Sequence, residues 1–186
     1  MGQAATAATV RAMSRTAFLA AGAFAIFAAA ALANGGEPLQ TRQAMIDGVN
    51  PAALAIWEVT NAAMDDDGGL DPALLDAEAW SRLEEAARML EDYGRRMAEA
   101  EVIVAGGPDL VSGEVPPGVA TREQIQAMID SDPDGFRAVS ADMAAQAAAL
   151  GEAARARDTA TTGDLAFGID GACQACHTRY WFLQQG

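Results

Sequence analysis

From residue 50 onward, apolar positions recur every three or four residues and few stretches alternate with period two. Alanine, leucine, methionine, glutamate and arginine carry the pattern, so the expected class is all-α. Asn50-Pro51 reads as a cap followed by proline at the first helical position. It opens a helix over 51–64 with Ala53, Leu54, Trp57 and Asn61 near one side. The acidic turn at 65–69 ends that helix. Asp71-Pro72 repeats the start signal and opens a long helix to about residue 105, in which Leu83, Ala86, Ala87, Leu90, Tyr93 and Met97 keep 3,4 spacing. A Gly/Pro connector fills 106–118. Thr121 caps a short helix, Asp132-Pro133 starts a third long one reaching about Arg157, and Thr161 or Thr162 caps a fourth that runs into the tail. Residues 37–49 are helical in character too, but Pro51 would clash with the Asp47 carbonyl in a continuous helix. The expected architecture is therefore an antiparallel four-helix bundle whose first helix is kinked or split at Pro51.

The first 33 residues depart from this pattern. They hold Arg11, Arg15 and no acidic residue, then an apolar run from Ala17 to the small-x-small ending Ala31-Leu32-Ala33. A basic start, a short apolar run and such an ending describe a cleaved secretory signal, with the protein exported to the periplasm. Residues 34–186 then form one domain with no further membrane span.

Charge narrows the function classes. The chain has 12 basic residues, all arginine, against 26 acidic ones, a net charge of −14. Such a surface repels phosphate backbones, which argues against nucleic-acid binding. It suits docking to a basic partner protein.

The candidate chemistry lies at 173–177, Cys-Gln-Ala-Cys-His, which contains both cysteines and the only histidine of the chain. C-x-x-C-H is the attachment signature of c-type haem. Thiols three apart on a helix share a face and can add together to the two vinyl groups, while the next residue turns an imidazole under the iron. Cys173 and Cys176 are thus candidate covalent anchors and His177 the candidate proximal ligand of one haem c. The alternatives are a redox-active C-x-x-C pair, which usually sits between a strand and a helix, a structural disulfide, which needs no histidine, and zinc, which wants four ligands where three exist. With no second histidine and no spare cysteine, the usual nucleophile–base pairs are missing, so an enzyme is not expected.

With these residues in place, the chain resembles the cytochrome c′ family and its low-spin relatives, exported four-helix bundles with C-x-x-C-H near the end of the last helix. The resemblance continues into Tyr180, which fits the family's aromatic position. Trp181 stands where the family carries arginine. Arg42-Gln43 resembles an Arg-Gln pair that the family places beside the haem on its first helix. Two coordination classes are implied. In one, a methionine of the first helix closes the distal face and the haem carries electrons; here that residue is Met45. In the other, a bulky apolar side chain leaves a five-coordinate iron that binds NO or CO. The family usually puts its distal residue three after the glutamine, at Ile46, and Met45 is one position short, about 100° around an ideal helix. A kink at Pro51 would absorb that offset.

Other signals are weaker. Residues 130–135, DSDPDG, match the first half of a calcium loop, but position 12 is Ala141 where a glutamate is needed; an Asp-Pro helix start explains them. Trp57 and Trp80 read as core or seam residues. Trp181, four after His177, is expected near the haem, and Arg42 is a candidate partner for a haem propionate. An apolar stripe on the outer side of 51–64 would permit a homodimer. The leading expectation is a periplasmic mono-haem electron carrier with His177/Met45 ligation. The alternatives are a five-coordinate gas-binding protein and an exported bundle without haem.

Overall fold

The computed structural model describes residues 37–106 and 118–183. The expected signal segment and most of the Gly/Pro connector lie outside the described residues. The described chain is a helical bundle. Strand β1 (Leu39–Gln40) leads into α1 (Thr41–Ala44), a π-helical segment (Met45–Val49) and α2 (Asn50–Ala62). A 3-10 turn (Pro72–Leu74) precedes α3 (Ala77–Glu99). Strand β2 (Ile103–Val104), α4 (Arg122–Ser131), α5 (Pro133–Ala156) and α6 (Thr159–Tyr180) complete it.

Facing residues fix the antiparallel order. A side chain at Gly94 of α3 would meet Ala144 of α5, and one at Gly151 of α5 would meet Ala87 of α3. Numbers rise on one helix as they fall on the other. Arg82 of α3 likewise pairs with Glu58 of α2, and Tyr180 of α6 packs edge-on against Phe136 of α5 with centroids 5.4 Å apart. At Gly94 the approach is closest: a Cβ there would lie 3.0 Å from the Ala144 backbone nitrogen. Small residues let α3 and α5 meet backbone to backbone, while Leu83, Leu90 and Leu150, fully buried, fill the layers between. Cutting any of these leucines to alanine should cost about 2–5 kcal/mol.

The helix boundaries follow local chemistry. Asp76 caps α3 through Ala79 N–H at 2.8 Å. Thr121 caps α4, as expected, and Gln124 completes a reciprocal capping box with it. Asp132 caps α5 with Pro133 in the first turn. Arg137 of α5 donates to the Ala100 and Glu101 carbonyls just past the end of α3, supplying partners that the helix itself cannot.

Three expectations are corrected. Asn50 is not an N-cap: its φ of −64° and ψ of −48° are helical, and its N–H donates to the Met45 carbonyl five residues back. The chain accommodates Pro51 by widening into a π turn, not by breaking. Asp71-Pro72 starts only the 3-10 turn, because Asp71 accepts from Ala73 N–H and Leu75 leaves the helical region. Asp158, not Thr161 or Thr162, caps α6, accepting from Thr161 N–H at 3.1 Å. Ala53, Leu54 and Trp57 share one side of α2, as their spacing suggests, and line a cavity described below, with Leu54 61% exposed there; the core side of the helix adds Ala52, Ile56 and Val59.

An annex at one end of the bundle was not foreseen. β1 and β2 pair in parallel, Leu39 with Ile103 and Gln40 with Val104. Gln126 of α4 ties in by accepting from Ala105 N–H and donating to the Ile103 carbonyl. The tail closes the same end: Ala120 N–H donates to the Trp181 carbonyl and Leu183 N–H to the Gly118 carbonyl, both at 2.9 Å.

Candidate functional site

Cys173, Cys176 and His177 lie in the last two turns of α6, each half-buried. The spacing of three puts both sulfurs on one side of the helix, and all three residues line a cavity of about 280 Å³ between α2, α5 and α6. Its walls are chiefly apolar, with Val49, Trp57, Met97 and Met143 among them. A second cavity of about 330 Å³ adjoins it, walled by Ile125 and Ile129 of α4, Phe136 of α5, and Tyr180 and Trp181. Four residues belong to both: Met45, Asn50, Cys176 and His177.

The π segment makes that sharing possible. Gly48 is buried under the Tyr93 ring of α3, and a Cβ at Gly48 would overlap the ring. Glycine therefore lets the widened turn sit flat on α3. The turn places Met45, half-buried, where it borders both cavities together with His177. Ile46, one residue on, is 44% exposed and lines only the second cavity. Arg42 lines the second cavity as well. Gln43 lines neither; its amide donates to the Asp47 carboxylate at 2.6 Å, along its own helix.

The environment of the motif is apolar. Burial pushes the Cys176 thiol up to about 11, with Cys173 adding to the effect. Burial also raises Cys173, helped by Asp170, and lowers His177 toward its neutral form. Reactive redox cysteines sit in electropositive sites that depress their pKa; these shift the other way. Both cysteines are free. Among the described residues, no cluster of three or more histidine, cysteine or carboxylate groups could hold a bare metal ion. Two neutral thiols, a neutral imidazole and apolar walls suit a large flat apolar group that brings its own metal. That is the fit a haem requires.

Aromatic residues surround the imidazole. The Trp181 ring centroid lies 5.9 Å from that of His177, as the spacing of four suggests. Phe182 stands edge-on at 6.2 Å. Sequence reasoning missed Phe182 because a residue five beyond the histidine leaves the helical face; it returns because α6 ends at Tyr180 and the tail turns back. Both Trp181 and Phe182 N–H groups donate to the His177 carbonyl at 2.9 Å. Tyr180, only 4% exposed, is pushed up to about 12, chiefly by burial.

Two lesser motifs resolve into structure. In 130–135, Asp130 accepts from Gln126, Asp134 from Arg137, and Asp132 caps α5. In 65–69, Asp65 accepts from the backbone of Asp67 and Gly69. Trp80 is buried in the core and Trp57 lines the first cavity.

Comparison with known proteins agrees with the motif. Residues 114–181 match the family model described as Cytochrome C'. No curated protein and no solved structure matches the chain.

Proposed function

We propose, from the match of residues 114–181 to the cytochrome c′ family model, that the chain is an exported mono-haem c-type cytochrome that carries single electrons and is not an enzyme. Cys173 and Cys176 hold the haem covalently, His177 is its proximal ligand, and Met45 closes the distal side. One observation carries the reading: Met45 and His177, 132 positions apart, border the same two adjoining cavities as Cys176. When bound, a haem supplies the one-electron couple. The protein supplies the rest. Apolar walls exclude water. Trp181 and Phe182 pack around the imidazole. A thioether from Met45 raises the reduction potential and favours a low-spin iron. Arg42 lines the second cavity, which supports it as the partner of a propionate.

The periplasmic site of action rests on residues 1–33 and on the maturation chemistry, which works on exported chains. The charge of −14 supports a basic redox partner whose association slows as salt rises. The side of α2 turned away from the cavity, where Pro51, Glu58 and Ala62 are exposed, is the surface on which a homodimer would form.

The deciding experiment is the absorption spectrum of the matured protein, oxidised and reduced, with and without CO. Sharp low-spin reduced bands, a weak far-red ferric–thioether band and no response to CO are expected, with the far-red band lost in Met45→Ala. A high-spin spectrum that shifts with CO would instead mean a five-coordinate iron faced by Ile46, and gas binding would replace electron transfer.

A further inference from the structure

We infer that Asp132, held at the start of α5, is a positioning residue for His177, acting through a latch with Arg179 and Tyr180. The inference rests on the haem reading for its meaning but on separate contacts for its existence. Asp132 does two jobs at once. One carboxylate oxygen caps α5, accepting from Gly135 N–H at 3.1 Å. The other accepts from Arg179 and from the Tyr180 hydroxyl at 3.2 Å. That hydroxyl also lies 3.1 Å from the Asp132 carbonyl. The turn that follows the histidine is thus pinned to another helix through a single residue.

Gly135 supplies an independent sign that the contact is built in. A Cβ there would overlap the Asp132 carboxylate and lie 2.8 Å from the Arg179 guanidinium. Glycine in the first turn of a helix is a poor helix former, and here its missing side chain is the space that the ion pair occupies. The glycine of DSDPDG, which resembles a calcium-loop glycine in sequence, makes room for an arginine 44 positions later.

Magnitudes decide which contact matters most. The Arg179–Asp132 pair is partly exposed, with side chains 52% and 37% accessible, and exposed pairs contribute little. Tyr180 is buried, and its ring packs edge-on against Phe136. Removing a buried hydroxyl's partner leaves a polar group unsatisfied, the larger penalty. The hydroxyl is therefore the principal bond of the latch and the arginine its outer seal. Tyr180 and His177 line the same cavity. Trp181 and Phe182, directly after Tyr180, return their N–H groups to the His177 carbonyl and their rings to its imidazole. Freeing Tyr180 would loosen all four contacts together.

The test compares Tyr180→Phe and Asp132→Asn with Asp158→Ala in the matured full-length protein. Tyr180→Phe keeps the ring against Phe136. Asp132→Asn keeps a good cap but removes the charge that Arg179 meets. Asp158→Ala removes the cap at the far end of the same helix and controls for plain loss of stability. Two readouts are taken: the reduction midpoint, and amide hydrogen exchange at Trp181 and Phe182. Tyr180→Phe should shift the reduced-to-oxidised ratio at fixed potential about threefold, roughly 28 mV for a one-electron couple. Asp132→Asn, which leaves the hydroxyl its backbone acceptor and removes only the outer ion pair, should shift it less in the same direction. Tyr180→Phe should also speed exchange at those two amides about tenfold, Asp132→Asn less, and Asp158→Ala should do neither. If the latch variants lose stability as the control does while both readouts stay still, the inference is overturned. A wild-type chain without covalent haem stain would sink the functional reading instead. In that case exchange at Trp181 and Phe182 would still decide whether the latch exists.

Discussion

The middle of this bundle and its cysteine end are held by different means. Along its middle, α3 and α5 meet through Ala87, Gly94, Ala144 and Gly151, with leucines in fully buried layers. Every contact there follows from helical periodicity. At the cysteine end, the contacts come from a π turn, a two-residue strand pair, a tail that folds back and an aspartate serving two helices. The regular half supplies stability that tolerates no added volume. The irregular half places particular side chains at particular points, and it does so with exceptions to the rules that build the other half. Irregularity concentrated at a site is a common sign of function.

The largest expected effect separates the two halves outright. Replacing Cys173 and Cys176 together with alanine should abolish haem staining on a denaturing gel while circular dichroism retains most of the helical signal. Staining that persists would refute the attachment assignment. Complete loss of helicity would mean that the bundle depends on its cofactor and that the division drawn here is false.

A pair of glycine substitutions sharpens the comparison. Gly94→Ala places a methyl against the backbone of α5, which cannot swing aside. Overpacking of this kind costs about 1–3 kcal/mol, offset in part by about 1 kcal/mol of helix propensity. The melting temperature should fall and the haem spectrum should stay as it was. Gly48→Ala meets the ring of Tyr93 instead. The ring can rotate, or the π turn can lift. In the second case Met45 moves, so the expected outcome is loss of the far-red thioether band. An unchanged band in Gly48→Ala would show that the turn does not position Met45.

The same division governs what could be read in advance. The core stripe of α3, the Thr121 cap and the Asp132-Pro133 start were legible, because each depends on residues a few positions apart. Cys173, Cys176 and His177 stood out because c-type attachment demands that order, and the fold brings all three to one cavity. The misreadings lie where two local signals compete. Asn50-Pro51 carries a strong start signal, yet a helix already running from Thr41 overrides it by widening. Asp158 and Thr161 both suit a cap, and the aspartate wins with the threonine hydroxyl donating to it at 2.7 Å. Phe182, Tyr93 with Gly48, and the second role of Asp132 depend on segments 40 or more residues apart or on where a helix stops. Neither leaves a local trace.

The smallest effect tests the irregular half by pH. Burial is the main cause that holds the Tyr180 hydroxyl protonated, raising it from 10.0 to about 12, with the Asp132 hydrogen bond adding to it and nearby Arg179 opposing. A group whose folded pKa lies above its unfolded value contributes stability that is complete below the unfolded value. That contribution is lost as pH rises through the folded value. The share due to Tyr180 should therefore be intact below about pH 10 and decline from there toward 12. Ionisation would also set a phenolate beside the Asp132 carboxylate, two like charges at a site now joined by a hydrogen bond. Denaturant unfolding of matured wild type and Tyr180→Phe, each followed from pH 8 to 11.5, isolates this residue from the other alkaline titrations. Wild type should lose its advantage over the variant above pH 10, whereas parallel curves across that range would mean that the hydroxyl contributes nothing that its ionisation can remove.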